Sequence, residues 1–185
     1  RPGTCGYSHF LDKNGHIIDD MIFAVRSENE VLGVPNSTMV SIMLEWLENH
    51  LPDDGSMSIV DKSEQTSIIA LQGPSSRSIL SQTLGSANSV SRFRCQEIME
   101  NDFGLKGWIQ GTGYTGEDGF EIFVSNHDAP ILWEALLSCD SPSTVPVGLG
   151  ARDTLRMEKG YLLSGQDFLW PRIDDSSSTL PRGFL

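Results

Sequence analysis

The stretch from residue 7 to residue 25 reads YSHFLDKNGHIIDDMIFAV and predicts two β-strands joined by a tight turn. Apolar and β-branched residues flank Asn14-Gly15, and an Asn-Gly pair between two such runs is the strongest short-range hairpin signal. Both residues tolerate the positive φ angles of a type I′ turn, so we expect that turn type here. The chain is therefore predicted to begin with a hairpin.

Outside this hairpin, strands and helices follow one another without the regular βαβ order of a parallel sheet. Strands are expected at 31–34, 57–61, 66–71, 93–99, 105–110 and 120–124, and helices at 40–50, 75–80, 129–137 and 150–159. Asn36, Ser37 and Thr38 offer capping side chains for the first helix, and Pro74 is expected at the first position of the second. Hairpins with a few helices against them predict an α+β fold of antiparallel sheets flanked by helices.

The chain is acidic, and its composition limits its partners. Among its 185 residues, 13 are Lys or Arg and 25 are Asp or Glu, which gives a formal net charge of −12. Such a surface repels phosphate backbones, so we expect no nucleic-acid partner. The sequence has no run of about 18 apolar residues, so we expect no membrane span.

Neither the cysteines nor the histidines form a metal-binding pattern. Cys5, Cys95 and Cys139 are widely spaced and odd in number, which predicts neither a disulfide framework nor a zinc motif. The four histidines form no HxxxH or His-Cys pair. We therefore expect no metal, and the widely spaced thiols fit a reducing compartment.

A glycine-rich loop, Gly111–Gly119, lies between two predicted strands. Gly111, Gly113 and Gly116 have the GxGxxG spacing of dinucleotide-binding loops, but the next segment is a predicted strand. A phosphate would therefore have no helix N-terminus to bind. Two interpretations stay open at this point: a tight hairpin connection or a ligand-binding loop.

Asp19 and Asp20 interrupt an otherwise apolar predicted strand. Neighbouring strand residues face opposite sides, so one carboxylate should face solvent and the other the interior or a cleft. The inner carboxylate needs a partner or a chemical role, because burial of an unpaired charge is costly. The alternative is a bulge or strand end at which both carboxylates are solvated.

Arg152 and Arg156 lie four residues apart, on one face of the last predicted helix. Guanidinium groups are suited to bidentate carboxylate binding, so this face is a candidate anion site. The alternative is a pairing with an acidic residue of the same helix that only anchors the helix. Spacing alone leaves the function of the chain open.

Several strings, taken together, resemble a known family. They are GHIIDD at 15–20, LQGP at 71–74, TGYTGEDGFE at 112–121, GLGARDTLRME at 148–158 and GQD at 165–167. They occur in the order found in the T-protein of the glycine cleavage system, an aminomethyltransferase that uses tetrahydrofolate. The resemblance extends from about Tyr7 to Asp167, which is nearly the whole chain.

The resemblance implies a cloverleaf of three domains around a folate channel, only part of which this chain would hold. Residues 1–56 would form part of the second T-protein-like domain, as a hairpin plus a helix. Residues 57–185 would form most of the first domain, and the C-terminal barrel-like domain would be absent. The residues at the two ends, Arg1 and 181–185, also led us to expect a fragment or a processed chain.

The resemblance further implies an activity and its site residues. In the family's reaction the lipoyl arm of the H-protein delivers an aminomethyl group, tetrahydrofolate takes the carbon and ammonia leaves, without a metal. Asp20 matches the family's catalytic carboxylate, with Asp19 turned away. The positions that match folate-binding residues are Tyr7, Tyr114, Glu121, Arg152 and Tyr161. The implied location is the cytoplasm, or the mitochondrial matrix in a eukaryote.

Two other functions stay open within the same superfamily. One is a folate-dependent demethylase of the same fold. Separately, this chain departs from the common family pattern at Ala24, Pro35 and Gly111, and these departures bear on the folate contacts that the family pattern implies near these positions. The other is a non-catalytic folate-binding relative, such as the iron-sulfur assembly proteins of this superfamily. Those proteins carry a Lys-Gly-Cys-Tyr-x-Gly-Gln-Glu motif, whereas the matching stretch here, 159–167, has no cysteine.

Overall fold

The computed structural model describes residues 1–168 of the chain. Its strands are β1 (Thr4–Leu11), β2 (Ile17–Ser27), β3 (Glu30–Val34), β4 (Thr66–Gln72), β5 (Cys95–Glu97), β6 (Gly107–Gln110) and β7 (Gly119–Ser125). Its helices are α1 (Val40–Glu48), α2 (Ser76–Leu84), α3 (Ala129–Leu137) and α4 (Leu149–Lys159). The strands form two sheets, with orders β1-β2-β3 and β4-β7-β6-β5. The predicted α+β class is confirmed.

The chain divides into two compact units. The first unit comprises Arg1–Cys5, Ala24–Leu32 and Lys62–Tyr161, and the second comprises Gly6–Phe23, Gly33–Asp61 and the chain from Leu162 onward. The predicted family domains, 1–56 and 57–185, remain a prediction. Residues 169–185 of that second range lie outside the described residues.

The first unit has the larger core. In its sheet β7 lies between β4 and β6 and pairs antiparallel with both. The buried core residues of this unit are Leu71, Ile79, Leu80, Leu84, Val90, Leu105, Ile109, Phe120, Ile122, Val124, Leu132 and Leu136. Complete burial of one such large apolar side chain contributes about 1.5–3 kcal/mol. This core fixes β6 and β7, on which candidate site residues lie.

The predicted hairpin at the start of the chain is confirmed, but its turn is of another type. Gly15 has a φ of 84°, whereas Asn14 has no positive φ, so the turn is not type I′. The Asp12 carboxylate accepts hydrogen bonds from the backbone amides of Asn14, at 2.7 Å, and His16, at 3.0 Å. An acidic side chain that bonds to the backbone ahead of it thus stabilises a different turn.

Three local predictions were wrong. Residues 57–61 form no strand and belong to neither sheet. Their apolar side chains do not pack in a core, since Met57 and Val60 are 62% and 70% exposed. Pro74 lies before α2 instead of at its first position, since Ser75 is the N-cap residue. A short 3₁₀ turn precedes α1, and neither that turn nor α1 has a side-chain cap.

The second unit has its own small core, formed where the hairpin packs against α1. Ile18, Met21 and Met43 are buried there, and Phe10 and Trp46 pack against them. The ring centroids of Phe10 and Trp46 are 5.3 Å apart in an edge-to-face arrangement. This packing orients β2, which carries the acidic pair. Among residues 1–168, no helix is long and apolar enough to cross a membrane.

Candidate functional site

The acidic pair on β2 has one fully buried and one half-buried carboxylate. Asp19 has an exposure of 0%, and Asp20 is partly exposed. The Asn36 side-chain amide donates to Asp19 Oδ1 at 2.7 Å and to Asp20 Oδ1 at 2.9 Å. The Asn36 backbone amide donates to Asp19 Oδ2 at 3.1 Å. One carboxylate is buried and the other partly exposed, as predicted, although both accept from Asn36, and the alternative in which both are solvated is wrong.

Burial raises the pKa of the Asp19 carboxyl above its ordinary value, and the hydrogen bonds from Asn36 act in the opposite direction. Asp19 is therefore held by its partner and faces the interior. Asp20 keeps access to solvent, which is the property that a reactive carboxylate needs. The outward position of Asp20 agrees with the role that the resemblance implies for it.

Asn36 was missed as a site residue. The sequence predicted it as a helix cap, yet its side chain makes no capping bond. The Asn36 side chain instead donates to Asp19 and Asp20, which lie 17 and 16 positions earlier in the chain. Asparagine is common both at caps and beside carboxylates, so the sequence carried no signal that separated the two roles.

Tyr7 lies beside Asp20, as the resemblance implied that both belong to one site. The Tyr7 hydroxyl donates to Asp20 Oδ2 at 2.7 Å. The same hydroxyl lies 3.1 Å from Nε2 of His9, a residue that the sequence analysis treated as an isolated histidine. The second unit thus brings together two predicted site residues and two that were not predicted, Asn36 and His9.

Glu121 lies in the first unit, on β7, opposite Gln110 of β6. Its carboxylate accepts from the Thr112 hydroxyl at 2.5 Å and from the Gln110 amide at 3.3 Å. The Gln110 amide also donates to the Thr112 hydroxyl at 2.8 Å. Gln110 and Thr112 are 2% and 6% exposed, so Glu121 is oriented by a buried network.

The loop Gly111–Gly119 joins β6 to its antiparallel neighbour β7, as the hairpin interpretation predicted. A Cβ at Gly113 or Gly119 would collide with the Gln72 side chain. The Gln72 amide donates to the backbone oxygens of Thr112, at 3.1 Å, and Phe120, at 3.0 Å. Because these two positions are glycine, the Gln72 side chain can lie against the loop and donate hydrogen bonds at both of its ends.

Tyr114, on this loop, forms an aromatic and cationic stack with two other predicted site residues. The Arg152 guanidinium lies 4.7 Å from the centroid of the Tyr114 ring. On the same ring Tyr161 is stacked, with centroids 5.8 Å apart and planes inclined by 25°. The first unit thus brings Tyr114, Arg152 and Tyr161 together, and an Arg over an aromatic face is suited to planar, electron-rich ligands.

The two arginines of α4 have different roles. Arg156 is 4% exposed, and its side chain donates to Asp153 at 2.8 Å and to the backbone oxygen of Tyr161 at 3.2 Å. Arg152 is exposed and contacts Tyr114. The anchoring interpretation therefore applies to Arg156, and the ligand interpretation remains open for Arg152.

Gly111, one of the departures from the expected family pattern, is enclosed by the backbone. A Cβ there would collide with the backbone oxygen of Ser91, so this close approach requires glycine. Ala24, another departure, is 1% exposed. The structure therefore explains the small residues at both positions by packing.

Comparison with known proteins assigns the family. A family model described as the GCVT N-terminal domain matches residues 1–171. This chain belongs to the GCVT N-terminal domain family. The matched residues include Asp19 and Asp20 on β2, the glycine-rich loop and α4. The match therefore covers parts of both units of this GCVT N-terminal domain.

Curated relatives and a solved structure agree with this assignment. The aminomethyltransferase of Geobacillus kaustophilus (strain HTA426) is 36% identical over 185 residues, which is 99% of this chain and 49% of the relative. That of Chloroherpeton thalassium (strain ATCC 35110 / GB-78) is 34% identical, over 89% of this chain and 45% of the relative. The GCVT N-terminal domain chain thus spans about half the length of the curated relatives it matches.

A crystal structure of the glycine cleavage system aminomethyltransferase T from Bartonella henselae matches with a TM-score of 0.76 and 32% identity. The match covers 90% of this chain and 44% of that chain. Aminomethyltransferases of glycine cleavage are therefore the proteins that this GCVT N-terminal domain resembles in both sequence and fold.

Proposed function

We propose that this chain acts in tetrahydrofolate-dependent aminomethyl transfer in glycine cleavage. The carbon would pass from the lipoyl arm of an H-protein to tetrahydrofolate, with release of ammonia. The observation that carries the proposal is the partly exposed Asp20 carboxylate, whose two oxygens are oriented by Tyr7 and Asn36. The family membership supports the same activity.

The proposed reaction needs a group that exchanges protons. The transferred carbon breaks its bonds to sulfur and to the amine nitrogen, and forms two bonds to folate nitrogens. The two N–H protons of the folate end on the sulfur and on the departing ammonia. A carboxylate beside these atoms takes up and returns a proton and stabilises positive charge on the amine. We assign this role to Asp20.

The Glu121 site fits a pterin. The amino-pyrimidine edge of a pterin presents N–H groups, and a carboxylate accepts about four hydrogen bonds. Thr112 and Gln110 supply two of these bonds, so the Glu121 carboxylate keeps capacity for a ligand. We propose that Glu121 binds that edge.

Four further side chains are proposed to contact folate. Three belong to the stack in the first unit, and the fourth lies on β1 in the second. Arg152 and Tyr114 offer a cation and an aromatic face, and Tyr161 extends that face. Tyr7 offers a ring beside its hydroxyl contact with Asp20. We propose that these four side chains contact the folate, and that Asp20 alone exchanges protons with it.

The test is an aminomethyl-transfer assay that follows ammonia release with lipoylated, aminomethyl-loaded H-protein and tetrahydrofolate. The wild-type chain is expected to turn over, and Asp20→Asn to lose about 10²–10⁴-fold in turnover while it still binds tetrahydrofolate. Asn49→Ala, an exposed substitution at the end of α1, is the matched control. Equal turnover of Asp20→Asn and wild type would remove Asp20 from the mechanism.

The same assay separates the alternatives. Activity on a free methylated amine without H-protein would favour a folate-dependent demethylase. Folate binding without any transfer would favour a non-catalytic folate-binding relative. For the proposed activity we infer a cytoplasmic location, or the mitochondrial matrix if the source is a eukaryote.

A further inference from the structure

Three polar side chains of the second unit form a continuous hydrogen-bonded line. His9 Nε2 lies 3.1 Å from the Tyr7 hydroxyl, and that hydroxyl lies 2.7 Å from Asp20 Oδ2. Tyr7 and His9 are two residues apart on β1, so their side chains share one face of the strand. Their rings meet edge to face, with centroids 5.0 Å apart.

The hydrogen bonds in this line have a direction. A phenol has a single proton, and Tyr7 donates it to Asp20. The Tyr7 oxygen therefore accepts from His9, which requires that Nε2 of His9 carries a proton. In this arrangement His9 donates to Tyr7, and Tyr7 donates to Asp20.

The line connects solvent with the candidate catalytic carboxylate. His9 is exposed and Tyr7 is 49% exposed, whereas Asp20 is half-buried. Within the described residues β1 pairs with β2, which carries Asp20 and also Asp19, and both carboxylates bond to Asn36. The other histidine of the hairpin, His16, is bonded to Asp12, at 3.0 Å.

We propose that His9 is a positioning residue that relays protons between solvent and Asp20 through the Tyr7 hydroxyl. This inference rests on the proposed function of Asp20 and adds a residue to it. Imidazole is suited to the task because histidine changes its charge between about pH 5 and pH 8.

The relay is balanced in protons. For release, neutral His9 carries its proton on Nδ1, so that Nε2 can accept, and the O–H bond of protonated Asp20 breaks as a new O–H bond forms on Tyr7. The original O–H bond of Tyr7 breaks, and an N–H bond forms at Nε2 of neutral His9. The imidazolium then gives a proton to water, and delivery to Asp20 runs through the same exchanges in reverse. Tyr7 is unchanged at the end.

NMR of the histidine side-chain nitrogens tests the coupling without any need for turnover. We expect the Nε2 resonance of His9 to shift in Tyr7→Phe, which removes its hydrogen-bond acceptor, and to shift by less in Asp20→Asn, which alters the next member of the line. His16, His50 and His127 act as internal controls that report a folded chain. A His9 Nε2 resonance that is the same in wild type and both variants would overturn the proposal.

A second readout separates proton relay from simple hydrogen bonding. Glutamine at position 9 can donate to Tyr7 but cannot titrate, so His9→Gln should lower turnover about tenfold and flatten its pH profile, a smaller loss than for Asp20 itself. Added imidazole should restore part of the turnover of His9→Ala. Wild-type turnover and pH profile in His9→Gln would overturn the relay.

The two readouts also distinguish this inference from the proposed function. If the wild-type chain shows no aminomethyl transfer, the proposed function fails, and the NMR coupling alone decides whether His9, Tyr7 and Asp20 form a proton line. If transfer occurs and the coupling is absent, the proposed function stands and the relay is rejected.

Discussion

Asp20 in the second unit and Glu121 in the first are both partly buried carboxylates, but they are held in different ways. A single amide, that of Asn36, bonds to both Asp19 and Asp20. Glu121 has two donors, Thr112 and Gln110, which also bond to each other. The difference teaches that one side-chain link, Asn36, joins the two carboxylates of the acidic pair, with Tyr7 as a further donor to Asp20 alone, whereas the two donors to Glu121 also bond to each other.

The largest expected effect is at that single link. Asn36→Ala removes the donor to Asp19 Oδ1 and leaves a buried carboxylate with one donor fewer. We expect the free energy of unfolding to fall by about 2–4 kcal/mol, because hydrogen bonds to charged groups are strong and unsatisfied buried groups are costly. Urea denaturation measures this change. The exposed control Asn49→Ala should stay within about 0.5 kcal/mol of wild type, and an equal effect of both substitutions would contradict the account.

A smaller effect is expected in the Glu121 network. Thr112→Val removes the hydroxyl that donates to Glu121, while the Gln110 amide still reaches the carboxylate. We expect a loss of about 1–2 kcal/mol in urea denaturation, and Thr112→Ser, which keeps the hydroxyl, should lose less. A loss as large as that of Asn36→Ala would show that the network has no redundancy.

The smallest effect concerns the pH dependence of stability. Burial raises the pKa of Asp19, so at a given pH above the ordinary carboxyl range the native chain retains a proton that the unfolded chain has released. The resulting stability is present at low pH and is lost as the pH rises through the folded-state pKa. The stability of wild type relative to Asp19→Asn should therefore decline as the pH rises above the ordinary carboxyl range.

Urea denaturation at several pH values measures this decline. The exposed Asp102→Asn variant should follow the wild-type curve in parallel. If the stability of wild type relative to Asp19→Asn is constant with pH, or grows with pH, burial is not the main influence on the pKa of Asp19.

Local signals predicted much of the fold. The hairpin, β4, β7 and α4 follow from apolar alternation, helical spacing and a glycine at the helix end, all of which act over a few residues. The 57–61 segment shows the limit of this reasoning. Alternation describes a strand only if a neighbouring strand pairs with it, and that neighbour is decided by the tertiary fold.

The site was predicted less completely, for a physical reason. The unequal burial of Asp19 and Asp20 follows from the period of a strand, and the named site residues came from the family resemblance, most of them from its motif strings. The side chains that orient them, Asn36 and Gln110, carry no motif, because any nearby donor of suitable length satisfies a carboxylate. Which donor does so depends on the register of strands and loops, which spacing along the chain does not specify.

The most direct test of the central claim, that this chain binds tetrahydrofolate through the assigned residues, is a calorimetric titration of the chain with tetrahydrofolate. The titration is repeated with Glu121→Ala, and the exposed Glu117→Ala on the same loop is the control. The account predicts binding by the wild type and by Glu117→Ala, and loss of binding in Glu121→Ala. A folded wild-type chain that does not bind tetrahydrofolate, or a Glu121→Ala variant that binds as the wild type does, would contradict it.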